Sequence, residues 1–272
     1  MALVTIEGTS LHFESVGDGD PVVLIHGALI CDAFTALVAQ PMLPEAFQLI
    51  TYRRRGYAGS SEAFPGVSVL DQARDCVRLL DHLELERSHI AGHSFGGVIA
   101  LEVARSSPGR VRSLTLLEPA LMVGASAAGY KDSLESGIRH FKEVDGETAV
   151  DEMLRARWPD YRTRLPGILP DGFRDAVAAA QASFDVELPS LFDWHFDEAD
   201  ARAIVQPVLS VTGSESKGLS PRFQEVHEWL LANVPDCKDY VLPGAHHFLQ
   251  MESPGDMAKA LDAFWSRHRI GT

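Results

Sequence analysis

Strand-like and helix-like stretches alternate along most of the chain. Leu3–Glu7 and Leu11–Val16 alternate between apolar and polar residues, which is typical of half-buried strands. Pro21–Ile25 is a short, continuous apolar run, as expected for a strand that is buried on both faces. Further strands are predicted at Phe47–Tyr52, Arg87–Ala91, Val111–Leu117, Pro207–Thr212 and Lys238–Leu242.

Apolar residues at helical spacing separate these strands. Val69–Leu83 has one apolar face, and Ser68 before it fits the N-cap position. Further helices are predicted at Phe95–Arg105, Pro221–Ala232 and Pro254–His268. Regular alternation of strands and helices indicates right-handed βαβ units, and therefore an α/β fold with a mostly parallel sheet.

The pattern changes between Pro119 and Val205, where strand-like runs disappear. Helix-like segments separated by proline and glycine take their place, around Lys131–Glu143, Glu147–Arg157, Asp171–Phe184 and Leu188–His195. We therefore expect a core domain made of residues 1–118 and 206–272. Residues 119–205 are expected to form a helical cap, or lid, inserted between two strands of that core.

Composition narrows the partners and the setting. The 272 residues are 46% hydrophobic, which suits one large core, and the net charge of −14 disfavours nucleic acid and anionic membranes. The same charge weakly disfavours strongly anionic substrates, although a local basic pocket could override it. The three cysteines (Cys31, Cys76 and Cys237) form neither a disulfide framework nor a zinc motif. This sparse, odd set fits a reducing setting, so the expected location is the cytoplasm. Neither a signal peptide nor a membrane helix is predicted, and we expect the protein to use no metal or cofactor.

A candidate nucleophile lies in the segment Gly92-His93-Ser94-Phe95-Gly96. This Gly-x-Ser-x-Gly pattern is weak by itself, but here it falls between a predicted strand and a predicted helix, the setting that a nucleophile elbow needs. A serine hydroxyl also requires a histidine, an orienting acid and oxyanion donors. We assign the oxyanion donors to the amides of Phe95 and Ala28, with Gly27 allowing the turn and His26 bracing the loop.

The candidate histidine lies between the last predicted strand and the last helix. His246 and His247 are adjacent there, on the same sheet edge as Ser94, and the residues alone leave both open. Together with Gly56–Ser61, these segments resemble the α/β-hydrolase superfamily in order and spacing. The resemblance implies an eight-stranded, mostly parallel sheet and gives His247 the catalytic position.

Two features depart from the family pattern. The first is Tyr52, which stands where an aspartate is common. The residues after it, Arg53-Arg54-Arg55, are interpreted as a salt-bridged loop, and the alternative is that they bind a substrate carboxylate.

The second is the position of the acid. The family's usual acid follows strand seven, where this chain has Ser214, with Glu215 one position away. Glu118 follows strand six, as in certain haloalkane dehalogenases and zearalenone-type lactonases. We therefore predict Glu118 as the acid, with Glu215 as the alternative.

The expected activity is hydrolysis of a small carboxylic ester or lactone with an apolar part, through an acyl-serine intermediate. Apolar residues of the cap are expected to line the substrate pocket: Met122, Trp158, Phe184 and Trp194. A C–C bond hydrolase or a cofactor-free perhydrolase would use the same triad, and a non-catalytic ligand receptor could use the same fold. The expected oligomeric state is a monomer or a homodimer.

Overall fold

Eight strands form one mixed sheet in the computed structural model, which describes residues 2–271. The strands are β1 (Ala2–Ile6), β2 (Thr9–Val16), β3 (Asp20–Ile25), β4 (Phe47–Arg53), β5 (Ser88–His93), β6 (Val111–Leu117), β7 (Val208–Gly213) and β8 (Cys237–Leu242). Their order across the sheet is β1-β2-β4-β3-β5-β6-β7-β8. Only the β1–β2 and β2–β4 pairs are antiparallel. The predicted eight-stranded, mostly parallel α/β sheet is confirmed.

The centre of the sheet is covered on both faces. Every residue of β5 and β7 is buried, which explains why these strands lack a polar face in the sequence. At the edge of the sheet, β8 exposes Lys238 and Asp239. Charged side chains on an edge strand discourage pairing with the strand of another molecule.

The helices connect and flank these strands. They are α1 (Thr35–Val38), α2 (Val69–His82), α3 (Phe95–Ser106), α4 (Ala127–Phe141), α5 (Gly146–Arg155), α6 (Tyr161–Ile168), α7 (Gly172–Ala178), α8 (Ala180–Ala182), α9 (Leu188–Asp193), α10 (Glu198–Ala203), α11 (Ser216–Leu219), α12 (Pro221–Asn233), α13 (Leu249–Glu252) and α14 (Pro254–Arg267). Ser68 caps α2 as predicted. Its hydroxyl accepts the Asp71 N–H at 3.1 Å, while the Asp71 carboxylate accepts the Ser68 N–H at 3.0 Å.

No helix among residues 2–271 combines the length and the apolar character that crossing a membrane requires.

Seven of these helices, α4 to α10, lie between β6 and β7. We call residues 119–205 the helical insertion. The helical segment predicted around Asp171–Phe184 is present, but it is divided into α7, α8 and a π-helical turn at Ser183–Glu187. That turn brings Glu187 to Arg54, which directly follows β4, and local periodicity cannot reveal such a distant contact. Helix α6 was also missed, because its Pro166 reads as a separator in the sequence.

The apolar core is continuous from the sheet into the helical insertion. Leu154, Trp158 and Phe184 of the insertion belong to the same buried cluster as Ile25 and Leu116 of the sheet. A second cluster fills the opposite side, beneath α14. The insertion is therefore packed firmly over the carboxyl ends of the central strands.

Candidate active site

Ser94 occupies a sharp turn between β5 and α3. Its φ of 53° and ψ of −116° are unusual for a residue with a side chain, and its N–H donates to Leu117 O at 2.9 Å. Such a backbone is maintained only when the surrounding structure imposes it. The strand–turn–helix setting predicted for the elbow is therefore present.

Glycines around Ser94 are required by close approach of the backbone. A Cβ at Gly92 would lie 2.2 Å from Gly96 O, and a Cβ at Gly96 would lie 2.1 Å from Ile25 O. A Cβ at Gly97 would lie 2.8 Å from Pro119 Cβ. These positions tolerate no side chain without movement of the main chain, as the sequence pattern indicated.

Glu118 and His247 form a buried pair beside the elbow. Glu118 Oε2 lies 2.7 Å from His247 Nδ1, and both side chains are almost fully buried. The second carboxylate oxygen, Oε1, accepts hydrogen bonds from the Gly213 N–H at 2.8 Å and the Thr212 hydroxyl at 3.0 Å. Glu118 has a φ of 43°, so this residue, like Ser94, has a strained backbone at the end of a central strand.

The electrostatics around this pair favour a neutral imidazole. Burial, together with the positive charges of Arg222 and Arg157, holds the pKa of His247 well below its usual value of 6.5. Burial raises the pKa of the Glu118 carboxyl, and its hydrogen bonds from Gly213 and Thr212 oppose that rise. An unprotonated His247 is what a general base requires.

The other two candidates for these roles lie elsewhere. Glu215 is exposed, and its carboxylate accepts a hydrogen bond from the Ser214 hydroxyl at 2.9 Å. His246 is half-buried, with Nδ1 3.0 Å from Glu252 Oε2. Neither of these alternatives for the acid and the histidine lines the cavity at Ser94.

The loop after β3 faces Ser94, as expected for an oxyanion hole. Ala28, Phe95 and Ser94 line one cavity. Phe95 is the first residue of α3, so its N–H has no acceptor within the helix. Gly27 was expected to allow the turn, but the positive φ of 69° belongs to Leu29. Glycine is needed at position 27 for contact instead, because a Cβ there would lie 3.2 Å from Ser94 Cβ.

The arginine cluster that precedes Gly56 is salt-bridged, as the sequence interpretation favoured. The three ion pairs are Arg53–Asp32, Arg54–Glu187 and Arg55–Asp75. None of these arginines lines the cavity at Ser94. His26 braces the loop as predicted, because its Nε2 accepts the Arg54 N–H at 3.1 Å and its Nδ1 lies 2.7 Å from Gly27 O.

The Arg54–Glu187 pair connects the helical insertion to the loop after β3. Both side chains are buried, and Arg54 Nη2 also donates to Gly27 O at 2.9 Å. The Tyr57 hydroxyl donates to Glu187 at 2.8 Å, and the Leu29 N–H donates to the Tyr57 oxygen at 3.1 Å. This network holds the backbone on both sides of Ala28. Sequence reasoning missed Glu187 because no local motif marks it.

The cavity at Ser94 has a volume of about 30 Å³. Its lining residues include Tyr130, Met153, Arg157 and Leu188 of the helical insertion, none of which was predicted. Their positions depend on how the insertion folds onto the core, and the sequence pattern does not indicate this.

Residues 2–271 contain no group of three or more His, Cys, Asp or Glu side chains that could hold a metal ion.

The four residues predicted to line the substrate pocket do not line this cavity. Trp158 is fully buried against Phe248, and Phe184 stacks on Phe141 with ring centroids 4.6 Å apart. Trp194 stacks on Phe196 and donates its indole N–H to Glu102, while Met122 lines a separate surface cavity beside Trp194. In this structure Trp158 and Phe184 pack the insertion itself. Met122 and Trp194 line a cavity that shares Ala120 with the cavity at Ser94.

The chain belongs to the α/β-hydrolase family, whose sequence model matches residues 22–260. It is 26% identical over 261 residues to the dihydrolipoyllysine-residue acetyltransferase component of the acetoin cleaving system of Pseudomonas putida. That match covers 94% of this chain and 66% of the relative. The chain thus spans less than two thirds of that relative, and it spans 41% and 40% of two further curated relatives.

Solved structures support the same fold. A thermophilic esterase from Thermogutta terrifontis is 22% identical and superposes with a TM-score of 0.83, covering 99% of this chain and 100% of that one. The enol-lactonase from Burkholderia xenovorans LB400 is 19% identical, with a TM-score of 0.77 over 97% of this chain and 99% of that one. The fold of these structures agrees with the family that the sequence model identifies.

Proposed function

We propose that this protein is a serine hydrolase that cleaves a small carboxylic ester or lactone through an acyl-serine intermediate. The observation that carries the proposal is the buried Glu118–His247 pair at 2.7 Å beside the strained Ser94 elbow. An esterase and an enol-lactonase are among the proteins of similar fold, which supports this reaction class. No step of the proposed mechanism requires a metal or a cofactor.

Each residue has one role in the proposed mechanism. His247 accepts the Ser94 proton while the serine oxygen attacks the substrate carbonyl carbon, and the N–H groups of Ala28 and Phe95 stabilise the oxyanion. The bond to the leaving oxygen then breaks, and His247 returns the proton to that oxygen. Water attacks the acyl-serine, again losing a proton to His247, and Ser94 is regenerated. Glu118 fixes the tautomer of His247 and stabilises the imidazolium.

In this proposal the helical insertion, residues 119–205, acts as a cap that determines which substrates reach Ser94. The support is its position, because it contributes Tyr130, Met153, Arg157 and Leu188 to the cavity wall. The core domain is then made of residues 1–118 and 206–272. The partner is a small molecule, and the site of action is the cytoplasm.

Product analysis on a substrate panel tests the proposed reaction. Purified protein would be incubated with esters and lactones, with diketones as C–C substrates, and with an ester plus hydrogen peroxide. We expect hydrolysis of esters or lactones that is absent in Ser94→Ala. Turnover of diketones alone would favour a C–C bond hydrolase, and peracid formation faster than hydrolysis would favour a perhydrolase. Saturable binding without turnover would indicate a receptor.

A further inference from the structure

A second, larger cavity adjoins the cavity at Ser94. It has a volume of about 450 Å³ and lies between α4, the end of α5 and the start of α12. Tyr130 and Arg157 line both cavities, so they form the wall between them. The cavity beside Ser94, at about 30 Å³, has room for only about two or three water molecules. A substrate therefore needs room beyond that cavity, and the larger cavity provides it.

Arg222 lies between two aromatic rings at this cavity. Its side chain is only 6% exposed, and its guanidinium carbon lies 4.0 Å from the Tyr130 ring centroid and 4.1 Å from that of Phe223. Stacking between two rings stabilises the faces of a guanidinium and leaves its N–H edge for a hydrogen-bond acceptor. The Nη1 atom is buried without any partner among the described residues. An unsatisfied buried donor of a charged group is costly, so this edge is suited to an incoming acceptor.

Arg157 contributes a second positive charge to the same cavity. Its Nη1 donates to Met153 O at 3.0 Å, and its carbonyl oxygen accepts the His247 N–H at 3.3 Å. Within residues 2–271, no carboxylate lies within ion-pair distance of Arg157 or Arg222. Burial lowers the pKa of Arg157, and the charge of Arg222 lowers it further. Two like charges that share one cavity attract an anion between them.

The carboxylates near this cavity already have partners. Glu225 accepts the Ser126 N–H at 2.7 Å and the Ser126 hydroxyl at 2.9 Å at the cavity rim. Glu118 is within electrostatic reach of Arg222, but its oxygens are bound by His247, Thr212 and Gly213. The protein therefore supplies two cations here and leaves their counter-ion to a ligand.

We propose that Arg222 and Arg157 bind a carboxylate of the substrate, so that the enzyme acts on esters or lactones that carry a second, ionised carboxyl group. The inference rests on the proposed serine hydrolase function and adds a substrate class to it. A planar guanidinium edge matches a carboxylate by paired hydrogen bonds. The net charge of −14 repels anions in general. The two arginines would therefore bind a carboxylate through short-range contacts and not through the overall charge of the protein. The Phe223 ring, 4.9 Å from the His247 ring, links the carboxylate site to the reacting atoms.

The wild-type protein provides the first test. The value of kcat/KM is measured for monoethyl esters of succinate, glutarate and adipate and for the matched diethyl esters. We expect at least one half-ester to exceed its diester by about 10- to 100-fold, the gain typical of hydrogen bonds to charged groups. Equal or faster hydrolysis of every diester would overturn the carboxylate site and leave the hydrolase intact. Hydrolysis of neither series, nor of any other ester or lactone, would instead remove the proposed function.

Variants test which residues carry the preference. Arg222→Met and Arg157→Met are each expected to lower kcat/KM for the half-ester by about 10-fold or more, mainly through KM, and the diester value by less. Arg222→Lys restores part of the preference. Arg174→Met is the matched control, because Arg174 is an exposed arginine of the insertion, paired with Asp171 and Asp175. An unchanged ratio of half-ester to diester in both arginine variants would contradict the assignment.

Inhibition of the wild type keeps the test independent of whether the variants fold. Glutarate and glutaramide differ in charge but have the same carbon chain. Glutarate is expected to inhibit diethyl ester hydrolysis competitively, and glutaramide at least about tenfold more weakly. Equal inhibition by the two compounds, or none by glutarate at millimolar concentration, would overturn the proposal.

Discussion

Glu118 Oε2 lies 2.7 Å from His247 Nδ1, at the carboxyl end of β6. The neighbouring strand β5 ends at His93, directly before Ser94, and both Ser94 and Glu118 have a positive φ. Two strained residues at the ends of adjacent strands thus flank one buried imidazole. The predictions that follow test whether this geometry performs catalysis and what maintains it.

Removing the charge of Glu118 tests its role as the acid. Glu118→Gln is expected to lower kcat by roughly two to four orders of magnitude, because the amide no longer stabilises the imidazolium or fixes the tautomer. Glu215→Gln is the control, and its kcat is expected to stay within about twofold of wild type because that side chain is exposed. Steady-state kinetics and circular dichroism of both variants provide the comparison. A large loss in Glu215→Gln alone would reverse the assignment.

The lowered pKa of His247 sets the acid side of the pH profile. The neutral imidazole is the active form, so activity is lost only as the pH falls through the lowered pKa, well below 6.5. The value of kcat/KM for a neutral ester is expected to be level between neutral pH and pH 6.5 and to fall at lower pH. Arg222→Met removes a nearby positive charge and is expected to move this fall to higher pH.

Arg174→Met serves as the control for the pH experiment, since that arginine is exposed on α7, and its profile is expected to match wild type. A wild-type profile that already falls at or above pH 6.5 would contradict the account of the His247 environment. So would an unchanged profile in Arg222→Met.

Close backbone contact at the elbow makes Gly96 essential for folding. Gly96→Ala places a Cβ about 2.1 Å from Ile25 O, so the strand and helix must separate, at a cost of about 3 kcal/mol of unfolding free energy. Gly137→Ala in α4 is the control, because a Cβ there meets nothing within 4 Å and is expected to add roughly 0.5–1 kcal/mol. Urea unfolding measures both. Equal stability of the two variants would show that the elbow is looser than described.

The buried Arg54–Glu187 pair is expected to stabilise the attachment of the helical insertion. Glu187→Gln leaves the buried Arg54 charge without its counter-ion and should cost about 3 kcal/mol. Glu198→Gln disrupts an exposed pair with Arg202 and should cost less than about 1 kcal/mol. Denaturant unfolding compares the two variants. A similar small cost for both would mean that water reaches the Arg54 pair.

Local sequence signals account for the sheet and the elbow. The apolar runs of β3 and β6 and the glycines around Ser94 reflect burial on both faces and close packing, so they are visible in the sequence. Glu118 was predicted from a departure, because Ser214 occupies the usual position of the acid. The substrate pocket was not predictable, since Trp158 and Phe184 look equally apolar whether they pack the insertion or line a cavity. Glu187 reaches Arg54 only through a π-helical turn, and the hydrophobic periodicity of the sequence does not predict such a turn.

Covalent labelling of Ser94 tests the central claim most directly. The purified protein is treated with a fluorophosphonate probe, and the intact mass and the labelled peptide are measured by mass spectrometry. The account predicts one adduct per chain, located on Ser94, formed in wild type and absent in Ser94→Ala. An unlabelled wild-type protein under conditions that label a control esterase, or an adduct on a different residue, would contradict the account.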